Sequence, residues 1–457
     1  MELIQNRQSK IQNRMTSFTP WKILHLELSA GILALPFEPN YQGIYAVFCW
    51  HGIPLGHKEI PSTQLPMPAS QLANLAWQAI APAVGDRLLA QGFKAPLPVV
   101  SDNPSRDVPP DFHALMGLDR PLESLGKWLQ LGTKATSESI SVVICTRDRP
   151  EQLAQCLRSL QDLSPCPQEI LVVDNAPNTD ATRQIVDKMP GVKYVPEPRP
   201  GLSVARNTGI RHSSADIVAF TDDDVIVHPE WIARLQQSFQ NPQVMAVTGL
   251  VLPAELETQA QLIFEKDFGG FNQGYRFKTF DTQFFEQMKH RGVPVWRIGA
   301  GANMAFRSKA FELVGDFDER LGAGAAGCSE DSEIWYRLLA EGWLCCYEPT
   351  ATVYHYHRSD MEGLKRQLYY YMRGHVAALI IQFERYRHWG NLRRLFFALP
   401  RFYTQAFFRQ LKSFHLKYST VLAEILGCLS GVKYYFQNSH TINRTLESPK
   451  FERENQF

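Results

Sequence analysis

The chain has 457 residues and a formal net charge of +1, and its composition is 44% hydrophobic and 20% charged. This length is too great for one ordinary domain, and we expect two or three. The composition is that of an ordinary globular protein, and the near-neutral charge gives no indication of a nucleic-acid partner.

The sequence also gives expectations about the compartment. The first twenty residues lack the apolar region of a secretory signal, and no stretch of about 18 uncharged apolar residues occurs, so no membrane-spanning helix is predicted. Eight cysteines show no CxxC spacing, and several fall inside apolar runs, which is typical of buried, reduced thiols. We therefore expect a cytoplasmic protein.

Residues 1–135 are predicted to form a small N-terminal α+β accessory domain with its linker. Alternating runs at residues 23–28 and 43–48 predict strands, and a helical pattern extends from about Leu72 to Leu89. The segment 101–110, which is rich in Ser, Asp and Pro, is typical of a linker.

From Ser139 onward strands and helices alternate, which indicates an α/β domain with a mostly parallel sheet. Asp148 is predicted to cap the first helix of this domain, which begins with a proline. Open α/β sheets bind ligands at the carboxyl ends of their strands, so polar side chains that follow the strands are candidates for a site. The predicted strands lie at residues 140–145, 170–173, 192–195 and 217–220.

Three successive carboxylates follow the last of these strands. In extended backbone Asp222 and Asp224 would leave the chain on one side and Asp223 on the other. Two hard oxygen ligands on one side suit Mg²⁺ or Mn²⁺, which take further ligands from water and substrate phosphates. An acidic turn after an edge strand is the ordinary structural alternative.

Other polar groups follow the neighbouring strands. Thr146, Arg147 and Asp148 form the first strand-to-helix turn, where backbone N–H groups favour a diphosphate. Asp174, followed by Asn175, ends the second strand, where it can accept hydrogen bonds from a base or a ribose, although it could equally be a turn residue. Further along the chain, Arg206 and Asn207 offer fixed hydrogen-bond donors.

Acids and histidines near the end of this region complete the candidate set. Glu330 and Asp331 begin a predicted helix, where an acid can complement the helix dipole or project into a cleft as a general base. His355 and His357 alternate along a predicted strand, so both imidazoles would share one face. Either could join the aspartates in a metal shell, and either could be purely structural.

Taken in order, these motifs resemble those of the family 2 glycosyltransferases, which are inverting enzymes with the Rossmann-like GT-A fold. The resemblance extends roughly from Ser139 to Arg358. It implies that a nucleoside-diphosphate sugar (UDP-, GDP- or dTDP-linked) is the donor, that a glycan or lipid-linked hydroxyl is the acceptor, and that Mn²⁺ or Mg²⁺ is the cofactor. The catalytic domain would then cover residues 139–358.

The resemblance also implies individual roles. Asp331 would be the catalytic base, with Glu330 the less favoured choice, and His355 would be the third metal ligand after Asp222 and Asp224, with His357 as its substitute. The family often has Gly directly before the Glu-Asp pair, where this chain has Ser329. The donor-binding residues would be Thr146, Arg147, Asp148, Asp174, Asn175, Arg206, Asn207, Asp222 and Asp223.

The C-terminal region, residues 359–457, is predicted to be a helical extension. Between Arg358 and Phe436 the sequence has 13 Lys or Arg residues, four Asp or Glu residues and many aromatic residues. Basic, aromatic helices of this kind can lie in an anionic membrane interface, so we expect peripheral contact with the inner face of the cell membrane through residues 359–436. Helices packed on the catalytic domain with a solvated basic face are the alternative.

Two other functions are weaker interpretations. In a haloacid-dehalogenase-like phosphatase Asp222 would be the nucleophile on the first strand of its domain, but here at least three predicted strands precede it. A non-catalytic nucleotide-sugar-binding scaffold would not need an acid such as Asp331 opposite a metal site.

Overall fold

The computed structural model describes residues 18–90, 138–412 and 420–438. These residues form an N-terminal unit, a large α/β domain and a set of C-terminal helices. The predicted linker at residues 101–110 lies outside the described residues.

The N-terminal unit is a three-stranded sheet covered by one long helix. Its strands are β1 (Trp21–Glu27), β2 (Gly43–Trp50) and β3 (Ile53–Pro61), and its helix is α1 (Ala69–Ala90). The sheet order is β1-β2-β3, with β1 parallel and β3 antiparallel to β2.

The central strand β2 is buried along its whole length because its alternating side chains enter two different cores. On one side Ile44 and Phe48 belong to the core that contains α1 residues. On the other side Tyr45 and Val47 pack with Leu250 of the α/β domain. The N-terminal unit is therefore docked on the α/β domain through the second face of β2.

The α/β domain has a nine-stranded mixed sheet with apolar cores that draw on both of its faces. Its order is β10-β12-β9-β11-β7-β4-β5-β6, and β8 also pairs with β12. The strands are β4 (Ile140–Thr146), β5 (Glu169–Asn175), β6 (Val192–Glu197), β7 (Ile217–Asp222), β8 (Val225–Val227), β9 (Val244–Pro253), β10 (Lys278–Phe280), β11 (Asn303–Arg307) and β12 (Leu344–His355).

The four strands β7, β4, β5 and β6 are parallel, whereas β11 runs antiparallel between β7 and β9. The predicted α/β class is confirmed, and the sheet is parallel in its first half and mixed in its second. The helices of this domain are α2 (Pro150–Gln161), α3 (Ala181–Val186), α4 (Leu202–His212), α5 (Trp231–Ser238), α6 (Gln259–Asp267), α7 (Thr282–Lys289), α8 (Ser308–Val314) and α9 (Glu330–Ala340).

The sheet register brings the polar strand ends together. In the parallel pairs Thr146 lies beside Asp174, and Cys145 lies beside Asp222. The end of β12 reaches the same edge, because His355 pairs with Val225, directly after the three aspartates.

The predicted C-terminal helical region is present and packs on the α/β domain. It contains α10 (Met361–Tyr386), α11 (Trp389–Arg393), a π-helical segment (Arg394–Ala398), α12 (Leu399–Lys412) and α13 (Val421–Asn438). A Cβ at Gly374 of α10 would lie only 2.5 Å from the carbonyl oxygen of Cys328, so this glycine permits close contact with the turn before α9. Of the helices formed by the described residues, none is both long enough and apolar enough to cross a membrane.

Candidate active site

Asp222, Asp224 and His355 form a cluster at the carboxyl edge of the sheet. One ligand atom from each lies within 4.8 Å of the other two, and Nε2 of His355 is 3.2 Å from Oδ1 of Asp224. Two carboxylates and one imidazole are a donor set that Mn²⁺ accepts, and the spacing allows them to share one ion. The residues present therefore fit a divalent metal.

Asp223 is not part of this cluster. It accepts hydrogen bonds from Oγ1 of Thr146 at 2.7 Å and from Nη1 of Arg149 at 3.0 Å. The same Arg149 nitrogen donates to Oδ2 of Asp224 at 3.1 Å, so one guanidinium joins the first strand-to-helix turn to the acidic turn. Arg149 was missed by the sequence analysis, although it directly follows the predicted diphosphate turn.

The neighbouring charges separate the acidities of the adjacent aspartates. Although burial opposes ionisation, His355 and Arg149 hold the pKa of Asp224 below its ordinary value. Burial, together with the charge of Asp224, raises the pKa of Asp223 to about 6. The exposed Arg358 also lowers the pKa of Asp224, and it is a second basic residue that the sequence analysis missed.

The prediction that Asp148 caps the first helix is wrong. The N-cap position of α2 is Arg149, and Asp148 instead accepts hydrogen bonds from the backbone and side-chain nitrogens of Asn178. Its backbone φ of +54° turns the chain before the helix, and this conformation carries the carboxylate away from the capping position. Arg147 is half-exposed beside it, with Nε 3.8 Å from Oδ2 of Asp148.

Asp174 is fully buried at 0% exposure. Oδ2 accepts a hydrogen bond from the hydroxyl of Tyr194 at 2.9 Å, and burial raises the pKa of Asp174. Among the described residues Oδ1 of Asp174 has no hydrogen-bond partner. This buried acceptor is therefore an orphaned polar atom of the site.

The side-chain amides of Asn175 and Asn207 hold loops in place. Asn175 donates to the carbonyl oxygen of Arg199 at 2.7 Å and accepts from the backbone nitrogen of Gly201 at 2.9 Å. Asn207 likewise donates to the carbonyl oxygen of Phe317 at 2.9 Å and accepts from the backbone nitrogen of Phe317 at 3.0 Å. In this arrangement both amides shape the site through the loops that they fix.

Arg206 links the metal cluster to the acids of α9. It is buried, its Nη1 donates to Oε1 of Glu330 at 2.5 Å, and its Nη2 lies 3.6 Å from Oδ1 of Asp222. Burial raises the pKa of Glu330 to about 7, even though Arg206 acts in the opposite direction. Glu330 is therefore tied to Arg206 beside the cluster.

Asp331 is placed differently from Glu330. It is partly exposed, and its Oδ1 accepts a hydrogen bond from the backbone nitrogen of Ser332 at 2.6 Å. A Cβ at Gly301 would lie 3.3 Å from its Oδ2, so this glycine leaves space beside the carboxylate. Partial burial raises the pKa of Asp331. Of the two predicted acids, Asp331 has the carboxylate that a substrate can reach.

His357, the predicted substitute ligand, does not belong to the metal cluster. Its Nδ1 is 3.2 Å from Nδ1 of His355, and its Nε2 is 3.3 Å from Oε2 of Glu265 on α6. The two imidazoles share a side, as predicted, but only His355 faces Asp224.

Comparison with known proteins identifies the class of this domain. Residues 141–315 match the family described as Glycosyl transferase family 2. The match over these residues confirms the resemblance found in the sequence.

Several curated relatives bear glycosyltransferase or polysaccharide-biosynthesis names. The Succinoglycan biosynthesis protein ExoM of Rhizobium meliloti is 29% identical over 229 residues, which cover 47% of this chain and 66% of that protein. The Pre-mycofactocin glycosyltransferase of Mycobacterium tuberculosis is 27% identical over 234 residues, which cover 50% of this chain and 46% of that protein. This chain thus spans between about half and two thirds of the length of these relatives.

Among solved structures, the mannosyltransferase PcManGT of Pyrobaculum calidifontis, in complex with GDP-Man and Mn²⁺, aligns with a TM-score of 0.42 and 16% sequence identity. The alignment covers 68% of this chain and 94% of that chain.

Proposed function

We propose that this protein transfers a sugar from a nucleoside-diphosphate sugar to a hydroxyl acceptor, with inversion at the anomeric carbon, in the assembly of a cell-surface glycan or glycolipid. One observation carries the proposal. Buried Arg206 lies between the cluster of Asp222, Asp224 and His355 and the helix start that carries Asp331, so a cluster able to hold a metal lies close to an accessible acid.

In this proposal Asp331 accepts the proton of the acceptor hydroxyl while that oxygen attacks the anomeric carbon. The bond from this carbon to the diphosphate oxygen breaks, and the electron pair leaves with the nucleoside diphosphate. A divalent cation, Mn²⁺ or Mg²⁺, held by Asp222, Asp224 and His355 would neutralise the charge that develops on that leaving group. Arg206 adds a fixed positive charge beside Asp222.

The donor-binding assignments are part of the same proposal. Asp174 would accept a hydrogen bond from the base through its orphaned oxygen, and Arg147 is exposed enough to meet a diphosphate. Thr146, Asp148, Asn175, Asn207 and Asp223 would act by shaping the turns around the donor, since their side chains already bond to protein groups. We also propose the division into an accessory domain at 1–135, a catalytic domain at 139–358 and an extension at 359–457.

We propose that the extension contacts the anionic inner face of the cell membrane. On α13 Leu422, Leu426 and Leu429 recur at a spacing of three or four residues and are exposed, which places them on one face of the helix. Exposed Arg393 and Arg401 lie on the preceding helical segments. Apolar side chains that enter the interface and basic side chains that meet anionic headgroups act together in such contacts. Among the described residues of this region, the exposed large apolar side chains are Tyr370, Trp389, Phe396, Phe397, Phe402, Phe407, Phe408, Leu422, Leu426, Leu429 and Phe436.

The transfer proposal is tested by titrating the full chain with a panel of nucleoside-diphosphate sugars, with and without Mn²⁺. Binding and slow release of the nucleoside diphosphate are followed. We expect metal-dependent selection of one donor that is lost in Asp224→Ala and kept in Asp187→Ala, which removes an exposed aspartate outside the site. Cleavage of simple phosphomonoesters without donor binding would favour the phosphatase alternative. Donor binding without any turnover would favour the scaffold.

A further inference from the structure

A chain of buried hydrogen bonds leads from the metal cluster to the N-terminal unit. His355 contacts His357, His357 contacts Glu265 of α6, and Oε1 of Glu265 accepts a hydrogen bond from the hydroxyl of Tyr45 on β2 at 3.1 Å. Tyr45 is 1% exposed and Glu265 is 7% exposed. Each of these contacts joins side chains far apart in sequence except that of the two histidines, so the tertiary fold assembles the chain.

The donors and acceptors along this chain can be assigned in order. The carboxylate of Glu265 can only accept, so Nε2 of His357 carries the hydrogen that it donates. A neutral His357 then accepts at Nδ1, and His355 must donate to it from its own Nδ1. This assignment leaves Nε2 of His355, the nitrogen that faces Asp224, as the atom available to a metal.

The surroundings hold the two imidazoles in this orientation. The ring of Phe264 meets His357 edge to face at a centroid distance of 4.8 Å, and the ring of Phe271 meets His355 in the same way at 5.1 Å. A Cβ at Gly270 would overlap the carboxylate of Glu265, so this glycine permits the loop after α6 to close over it. Polar groups buried in this way are costly unless each is paired, and apolar side chains could fill the space with comparable stability.

We propose that Glu265 and Tyr45 are positioning residues for the metal site: through His357 they fix the tautomer and the ring orientation of His355. The N-terminal unit thereby supplies part of the support of the catalytic metal centre through β2. This inference rests on the proposed metal site, and it gives the N-terminal unit a role that the sequence does not indicate.

The test measures Mn²⁺ binding rather than turnover. Free Mn²⁺ is followed by electron paramagnetic resonance during titration of the full chain, alone and with UDP or GDP, and thermal unfolding is recorded with a chelator present. Loss of an outer partner of a metal-ligating histidine typically weakens metal affinity by about 10–100-fold. Glu265 reaches His355 only through His357, so we expect the lower end of that range, about tenfold, for Glu265→Leu, which leaves Nε2–H of His357 without an acceptor. We expect roughly fivefold for Tyr45→Phe, which removes a single hydrogen bond.

Tyr275→Phe is the matched control. The hydroxyl of Tyr275 bonds to His57 at 2.9 Å in the same interface between the α/β domain and the N-terminal unit, and among the described residues it makes no hydrogen bond to Glu265. Its Mn²⁺ affinity should equal that of the wild type. If Glu265→Leu fails to fold, Gly270→Ala provides a second test, since the added methyl group displaces the Glu265 carboxylate and should weaken Mn²⁺ binding.

The outcomes separate this inference from the proposed function. Wild-type Mn²⁺ affinity in the folded Glu265→Leu and Tyr45→Phe variants would overturn the positioning role and leave the metal site intact. An equal loss of Mn²⁺ affinity in Tyr275→Phe would also overturn the positioning role, because the effect would then come from loosening of the interface between the N-terminal unit and the α/β domain. A wild-type chain that binds no Mn²⁺ under any of these conditions would overturn the metal site and this inference together.

Discussion

The choice between the two acids of α9 can be made by comparing Asp331→Asn with Glu330→Gln. In Asp331→Asn the side-chain oxygen can still accept the hydrogen bond that Ser332 donates at 2.6 Å, so the helix start should be kept. The substitution removes the proton acceptor. General base catalysis contributes about 10²–10⁴-fold to rate, so kcat should fall by that factor, which corresponds to about 3–5 kcal/mol of barrier.

Glu330→Gln should have a much smaller effect on turnover. The glutamine oxygen can still accept from Nη1 of Arg206, so a charge-assisted hydrogen bond becomes a neutral one at a cost of about 1 kcal/mol. If that cost loosens Arg206 in the transition state, kcat falls by roughly fivefold. The two variants should therefore differ by at least tenfold in kcat.

The assay measures release of the nucleoside diphosphate from the donor that the panel selects, together with the donor dissociation constant. Donor affinity should be nearly unchanged in Asp331→Asn, because Asp331 acts on the acceptor hydroxyl. A larger loss of kcat in Glu330→Gln than in Asp331→Asn would refute the assignment of Asp331 as the base.

Three further predictions concern pH, packing and membrane contact. The rise of kcat/KM with pH should be centred above the ordinary pKa range of an aspartate, because partial burial raises the pKa of Asp331 and only the deprotonated base is active. Burial raises the pKa of Glu330 to about 7, so a rise centred near pH 7 that vanishes in Glu330→Gln would contradict this assignment. Gly374→Ala should lower kcat by up to about 100-fold, because its methyl group displaces the turn that leads into Glu330 and Asp331. A wild-type kcat in this variant would show that α10 does not hold the turn. The double variant Leu426→Ser/Leu429→Ser should reduce cosedimentation with anionic vesicles by roughly tenfold or more. The control Leu313→Ser, which changes an exposed leucine on α8, should not reduce it. Equal vesicle binding by the double variant and the wild type would contradict the proposed membrane contact.

The carboxyl edge of the sheet could be predicted because the residues that mark it are adjacent in sequence. An apolar strand that ends in polar residues marks its own carboxyl end, and parallel strands bring such ends to one edge. This reasoning placed Asp174 and Asp222 at one edge without knowledge of the register, whereas His355 was assigned to the metal site through the family resemblance. The alternation in the acidic turn likewise separated Asp223 from its neighbours, and the structure has Asp223 facing Thr146.

The contacts that tune the site could not be predicted, because they join residues that are distant in sequence. Arg149 reaches Asp223 and Asp224 across more than seventy positions, and Glu265 reaches His357 across 92. The strand pattern of β2 was visible, but its burial on two faces depends on β9, which lies in another domain. Local patterns identify elements, whereas these partners follow from how the elements pack.

Ser329 is the one position where a departure from the family pattern has a direct structural meaning. Ser329 precedes Glu330 and has a backbone φ of +71°, which lies in the left-handed region. Glycine adopts this conformation without strain, whereas in other residues the Cβ atom adds a steric cost of about 1–2 kcal/mol. Glycine also loses more backbone entropy on folding, by roughly 0.5–1 kcal/mol, so Ser329→Gly should stabilise the chain by about 0.5–1 kcal/mol. Denaturant unfolding of the two proteins measures this difference. Oγ of Ser329 lies 3.2 Å from Sγ of Cys328, and a loss of stability in Ser329→Gly would show that this contact outweighs the backbone penalty.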